Sequence, residues 1–315
     1  MRFAFMDGSL FLAMSIGFGV SGQIYVASGY VAIYSISLTG AILAFLYGAV
    51  FLKNSVKRKA RKVELGKISE EESKEPEKGP GLKELCNLRH IADSFIVAFK
   101  RREGGMRHVV LILVALFGLH SVVNGSNTID YSYARNKFIW ESSDYMAEWW
   151  STYSSITSVF PIIFLVFVSP FMSRVLKLSD MFIVSLAFIM MFASLIVMLS
   201  ARVKELLYLQ KLLDSFNDSV TLGIRAALTK LVGGQDVGKV FACVGVVQAG
   251  SGFISPLYNL IYLETLDWHP GMPYCVAEML LIFLIALSLY CWFKIKRFNS
   301  KKLSESQNKI EISVL

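Results

Sequence analysis

The chain has 315 residues, is 54% hydrophobic with a mean hydropathy of +0.52, and carries only 18% charged residues, against about 25% in soluble domains. That balance excludes an ordinary water-soluble domain and makes lipid the expected solvent. The four cysteines show no paired spacing and the four histidines are scattered, so no disulfide framework and no metal site is expected.

A helix needs about 20 mainly apolar residues to cross the hydrocarbon core. Eight segments of that kind follow one another at 5–27, 30–52, 108–126, 150–172, 180–200, 204–231, 238–262 and 272–293. Residues 1–52 hold the first two. Gly17, Gly19 and Gly22 imitate a dinucleotide fingerprint there, but that motif needs a preceding strand, and small residues in a membrane helix serve close packing. Residues 53–106 mix Lys and Glu, as a cytoplasmic linker does. Within that stretch Leu88, Ile91, Phe95 and Phe99 recur at helical spacing beside Arg89 and Lys100. This pattern suits a helix lying on the inner leaflet, and a calmodulin-target helix has a similar one.

Residues 107–298 hold the other six segments, and 299–315 form a tail. In the third, His120 is either a proton shuttle or a satisfied histidine, and Asn124-Gly-Ser is a glycosylation sequon at its end. The following loop, 127–149, carries Asp130, Glu141, Asp144 and Glu148, with Trp140, Trp149 and Trp150 where an aromatic belt forms. Tyr153, Ser154 and Thr157, followed by Pro161, give the fourth a polar and kinked outer half.

The sixth segment is charged. Lys211, Asp214, Asp218, Thr221 and Arg225 are spaced 3, 4, 3 and 4, which puts them on one face of a single spanning helix. A charge at bilayer depth costs about 3 kcal/mol or more, so that face should line protein or a watery cavity. Asp214 and Asp218 as i, i+4 neighbours suggest a proton-binding pair; the alternative is a structural network in which Lys211 pairs with Asp214 and Arg225 with another helix. The seventh segment repeats the stripe in neutral form with Gln248, Ser251, Ser255 and Asn259, as a pore face or as polar glue between helices. Gly233 to Lys239 looks like a phosphate loop, yet Val240 stands where a Ser or Thr is required, so it reads as an inner-side turn.

Lys and Arg cluster at Arg2, through 53–107, at Arg174, Lys177, Lys230 and Lys239, and in the tail. With both termini cytoplasmic, 26 of the 32 basic residues fall on the inner side, so the excess of +8 is a topology signal and not a nucleic-acid footprint. No secretory signal peptide is expected, since the first apolar run is too long and lacks a cleavage site.

The runs IRAALTKLV (224–232), GKVFA (238–242), YNLIYLETLDWHPGMP (258–273), SRVLKLSD (173–180) and RFAFMDG (2–8) resemble the proton-coupled folate transporter family, solute carrier family forty-six, of the major facilitator superfamily. The resemblance implies an all-α membrane bundle in which the eight segments match helices five to twelve of twelve, the chain beginning about four helices late. It implies alternating access between two lobes, driven by protons. Asp7 falls where the family has an intramembrane acid linked to proton coupling, and Arg225 falls on the tenth-helix arginine linked to proton and substrate binding. The folate carrier's histidine near the outer end of its seventh helix has no counterpart, because Val122 and Asn124 stand there with His120 nearby.

The expected function is therefore a secondary transporter, a proton-coupled symporter of a folate-like or other organic anion. Arg225, Lys211, Thr221, Gln248, Ser251, Asn259 and Tyr153 are its candidate substrate-binding residues, and Asp7, Asp214 and Asp218 its candidate proton acceptors. The competing reading is a truncated, non-transporting membrane protein that binds a solute or a partner, because an amino-terminal lobe without its first four helices lacks a rigid body for alternating access. No enzyme, cofactor, metal or nucleic acid is expected. The partners are a small organic solute, protons and the bilayer, in the plasma or an endolysosomal membrane.

Overall fold

A computed structural model describes residues 2–51, 106–232 and 236–314. The linker, its amphipathic segment and residues 233–235 of the Gly233–Lys239 turn lie outside the described residues, and Val237 already opens a helix. Every regular element that is described is helical: α1 (Arg2–Phe51), α2 (Met106–Asn124), α3 (Asp130–Lys137), α4 (Ser143–Thr157), α5 (Val159–Ile163), α6 (Asp180–Ser200), α7 (Leu206–Asp214), α8 (Asn217–Leu231), α9 (Val237–Ser251), α10 (Ser255–Thr265) and α11 (Met272–Val314). The chain divides into two compact units, residues 1–20 with 88–315, and residues 21–87.

α1 is helical from Arg2 to Phe51 except at Gly29, where φ is +71° and ψ −171°. A residue with a Cβ adopts that backbone conformation only under strain, and Gly29 stands between the segments 5–27 and 30–52. In the first part of α1, Ser15 and Ser155 of α4 each donate a hydroxyl to the other's backbone carbonyl, at 2.8 and 2.7 Å, and Ser151 donates to the carbonyl of Phe18. Gly19 permits this approach, because a Cβ there would stand 2.9 Å from Ser155 Oγ. Gly17 has no such neighbour, so of the two only Gly19 serves packing.

α6 is the centre of the larger unit. Val184, Ala187, Phe188 and Met191 on it are buried together with Val220 and Ile224 of α8, Leu113, Leu116 and Phe117 of α2, and Leu281 and Leu284 of α11. α8 comes close because Gly223 has no side chain: a Cβ there would meet Val184 Cγ2 at 2.4 Å and the carbonyl of Asp180 at 3.2 Å. Gly118 of α2 does the same against Val247 of α9, at 2.6 Å. Such small residues let membrane helices gain van der Waals contact where no hydrophobic force between helices exists.

Several single segments expected from the sequence are built from two pieces. Residues 204–231 form α7 and α8, joined through Ser215 and Phe216, which keep right-handed dihedrals with small ψ. The charged face is thus carried by two helices and not one. Residues 238–262 form α9 and α10, broken at Gly252 and restarted with Pro256 in the first turn, where its missing N–H costs nothing. In the fourth segment α4 ends at Thr157, whose hydroxyl donates to Tyr153 O at 2.9 Å. Beyond Pro161 the chain takes wide π-type turns at Phe164–Val168 and Phe171–Val175, the irregularity anticipated from the proline. The loop after the third segment is also more ordered than expected. A 3-10 turn (Gly125–Ile129) continues α2 directly into α3.

Six described stretches are long and apolar enough to cross a membrane: Phe11–Gly48, Met106–Lys137, Tyr145–Val175, Asp180–Ser200, Val237–Thr265 and Met272–Ser300. The count differs from eight because α1 counts once across Gly29 and because the charged α7–α8 pair falls short in length and apolarity. Phe167, Phe253, Leu263, Met279 and Phe283 remain exposed, which suits lipid and not water. The chain is a multi-pass integral membrane protein.

Candidate functional site

Several polar residues of the larger unit meet along one seam. α7–α8 runs antiparallel to α2–α3, and three levels of that seam are matched.

At the first level Lys211 at the end of α7 places Nζ 3.0 Å from Asp130 Oδ2 and 3.5 Å from Asp214 Oδ2. Tyr274 of α11 donates its hydroxyl to Asp130 Oδ1 at 2.9 Å. Both oxygens of Asp130 are thus bonded, and the residue is 6% exposed. Such satisfaction is what a buried carboxylate requires. Tyr153 of α4, also buried, donates to the carbonyl of Leu207 at 3.2 Å and stacks on Trp149 with centroids 5.1 Å apart, closing this level from the α4 side.

At the second level, His120 and Asn124 of α2 meet Asn217 of α8. Asn217 Nδ2 donates to Asn124 Oδ1 at 2.8 Å, and His120 Nε2 lies 2.5 Å from Asn217 Oδ1. With the proton on Nε2 the imidazole donates to that oxygen, an assignment inferred from the partner. His120 is therefore a satisfied buried histidine, the plainer of its two readings. Asn124 and Asn217 join α2 to α8 through their side-chain amides.

At the third level Arg225 lies over the ring of Phe117, its guanidinium carbon 5.8 Å from the centroid. It is half-buried, and no carboxylate pairs with it among the described residues. An arginine over an aromatic face keeps its planar fork of donors for a bidentate partner.

The remaining predicted residues distribute as follows. Asp218 and Thr221 are half-buried on α8 between Asn217 and Arg225. Gln248 on α9 and Asn259 on α10 are exposed, Asn259 bonding back to Ser255 O at 3.3 Å. Ser251 ends α9, and Asp7 lies on α1; the side chains of both are outside the described residues. The structure thus joins Lys211 with Asp214 and keeps Arg225 about 20 Å further along at 1.5 Å per residue. Among the described residues no cluster of metal-ligating side chains occurs. The residues that sequence reasoning missed are Asp130 and Tyr274. Asp130 was read as an outer-loop acid, and only the helical continuation of α2 would have placed it on the seam.

No family model matches the chain. It is 27% identical over 128 residues to the lysosomal proton-coupled steroid conjugate and bile acid symporter of Gallus gallus, a match covering 40% of this chain and 27% of that protein. It is 25% identical over 269 residues to the probable peptidoglycan muropeptide transporter of Drosophila melanogaster, covering 84% of this chain and 48% of that one. The chain has weak homology to solute carrier family forty-six transporters. It spans about half, or less, of the length of the curated relatives it matches. These solute carrier relatives are transporters and not enzymes.

Proposed function

We propose that the chain belongs to a proton-coupled secondary transporter of solute carrier family forty-six, of major facilitator architecture, that moves an organic anion. Its segments would correspond to helices five to twelve of that architecture, with both termini cytoplasmic. The observation that carries the reading is Arg225, a half-buried guanidinium in an apolar bundle with no carboxylate partner among the described residues. A cation kept at that depth marks a solute path, and its natural partner is a carboxylate or sulfate on the solute. Thr221 on the same helix adds a neutral donor. Gln248, Ser251 and Asn259 would face the solute from the α9–α10 side. The names of the two relatives support an amphipathic or sugar-linked anion as readily as a folate-like one.

Proton coupling would rest on Asp214 and on Asp7, with Asp218 as a further acceptor. The test is uptake of a labelled bile acid into cells expressing the full-length protein, at acidic and neutral external pH. Arg225→Ala should lower acid-driven uptake about tenfold or more, the loss of one charge-assisted bond of ~1.5–3 kcal/mol, with surface expression unchanged. Asp7→Asn should flatten the dependence on pH. Uptake unaltered in both variants would overturn the assignment.

A further inference from the structure

The segment from α10 to α11, the last turn of α6 and α3 enclose a cavity of about 290 Å³. Tyr133 and Lys137 of α3, Leu199 of α6, His269 and Pro270 of the connecting segment and Cys275 of α11 stand in its wall. We propose that this cavity is a binding site for a small amphipathic carboxylate, distinct from the seam and independent of the transport reading. Its volume is at the lower end of ligand pockets, which begin near ~300 Å³, so the ligand is small.

Lys137 supplies the charge. Its Nζ donates to the carbonyls of Met198 and Leu199 at 2.8 and 2.7 Å and to the Tyr133 hydroxyl at 3.1 Å, so all three ammonium protons are engaged. The charge itself is only partly offset, because the carbonyls at a helix C-terminus present about half a negative charge. No carboxylate pairs with Lys137 among the described residues, and none lines the cavity. Asp130 lies behind the wall, bonded to Tyr274, whose ring meets that of Tyr133 at 4.9 Å, and it is already matched by Lys211. Glu278, one turn along α11 from Cys275, is not part of the wall.

Tyr133 supplies the hydrogen bond. Its oxygen accepts from Lys137, and among the described residues its own proton has no acceptor. A carboxylate oxygen in the cavity is the partner such a phenol lacks, and the ammonium bonded to the phenol oxygen strengthens it as a donor. The exposed His269 ring offers a further N–H. Leu199 and Pro270 make the opposite side of the wall apolar. Such a surface accepts hydrocarbon and offers nothing to the hydration shell of an inorganic ion, so the anion it suits carries an apolar body.

Cys275 is a half-buried thiol in the wall, whereas Cys243 and Cys291 are buried, so alkylation of Cys275 reports whether the cavity is filled. The experiment follows that alkylation by N-ethylmaleimide in the full-length protein in lipid nanodiscs, read by mass spectrometry of the peptide that carries Cys275, with benzoate as the probe. Benzoate is expected to slow the reaction saturably, and benzyl alcohol at the same concentration to leave it unchanged. Tyr133→Phe should raise the benzoate concentration for half-protection about tenfold, the share of one charge-assisted hydrogen bond. Lys137→Met should abolish protection. Because that variant also loses the cap on α6, Tyr133→Phe, which keeps Lys137 on the Met198 and Leu199 carbonyls, decides the matter if Lys137→Met fails to fold. Equal protection by benzyl alcohol, protection unchanged in Tyr133→Phe or surviving in a folded Lys137→Met, or no protection by benzoate would each overturn the proposal.

Discussion

An ammonium inside an apolar bundle needs a counter-charge within hydrogen-bond reach, and Lys211 has two. Removing Asp130 costs one strong bond, while removing Lys211 leaves two carboxylates facing each other. Breaking a buried pair in this way costs about 3–5 kcal/mol. Lys211→Met is accordingly expected to lower the thermal midpoint of the protein in detergent more than Asp130→Asn does. The double variant should recover part of the loss because only Asp214, the more exposed carboxylate, then stands without its cation. A midpoint that falls further in the double variant than in either single one would count against the pairing. At Arg225 the expectation is the opposite. Its contact is the Phe117 ring, worth about 0.5–2 kcal/mol, so Arg225→Ala should change uptake far more than stability.

At the scale of elements, glycine positions carry the clearest consequences. Gly223 sits where α8 crosses α6, and the obstacle to a Cβ includes the Asp180 carbonyl as well as Val184. A backbone atom cannot rotate away, so Gly223→Ala should destabilise by about 1–3 kcal/mol, the usual cost of overpacking. Gly118→Ala meets only the Val247 side chain and should cost less, which a comparison of thermal midpoints in detergent would establish. Gly29 holds a dihedral pair that residues with a Cβ adopt only under strain. Gly29→Ala is expected to straighten α1 at that point, lengthening the distance between spin labels at residues 23 and 38 in pulsed spectroscopy. The π-type turns after Pro161 and the break at Gly252–Pro256 are the same physics elsewhere: a missing donor, or an unoccupied carbonyl, ends regular hydrogen bonding.

For the whole molecule the governing fact is that water solvates neither the six apolar stretches nor the exposed aromatics. The proposed orientation, with both termini cytoplasmic, follows from the distribution of Lys and Arg. Ile139, almost fully exposed between α3 and α4, should react as Ile139→Cys with an impermeant maleimide on intact cells. Ser300→Cys near the end of the last apolar stretch should react only after permeabilisation. The reverse pattern would invert the topology and move the basic linker outside.

Solvent, helical class and the existence of a charged stripe are written in the sequence, because each depends on composition or on spacing of a few residues. The positions of the polar breaks were legible in part: Gly29 falls between two expected helices, and Pro161 precedes the irregular turns. What Lys211 pairs with was not legible. Its nearest carboxylate in sequence is Asp214, three residues on, yet the shorter bond goes to Asp130, 81 residues away. Periodicity reports which residues share a face of one helix and nothing about the register of two helices brought side by side. The antiparallel match of Phe117 with Arg225, Asn124 with Asn217 and Asp130 with Lys211 was decided by the tertiary packing alone, where Gly223 lets α8 settle against α6 and a 3-10 turn carries α2 onward into α3.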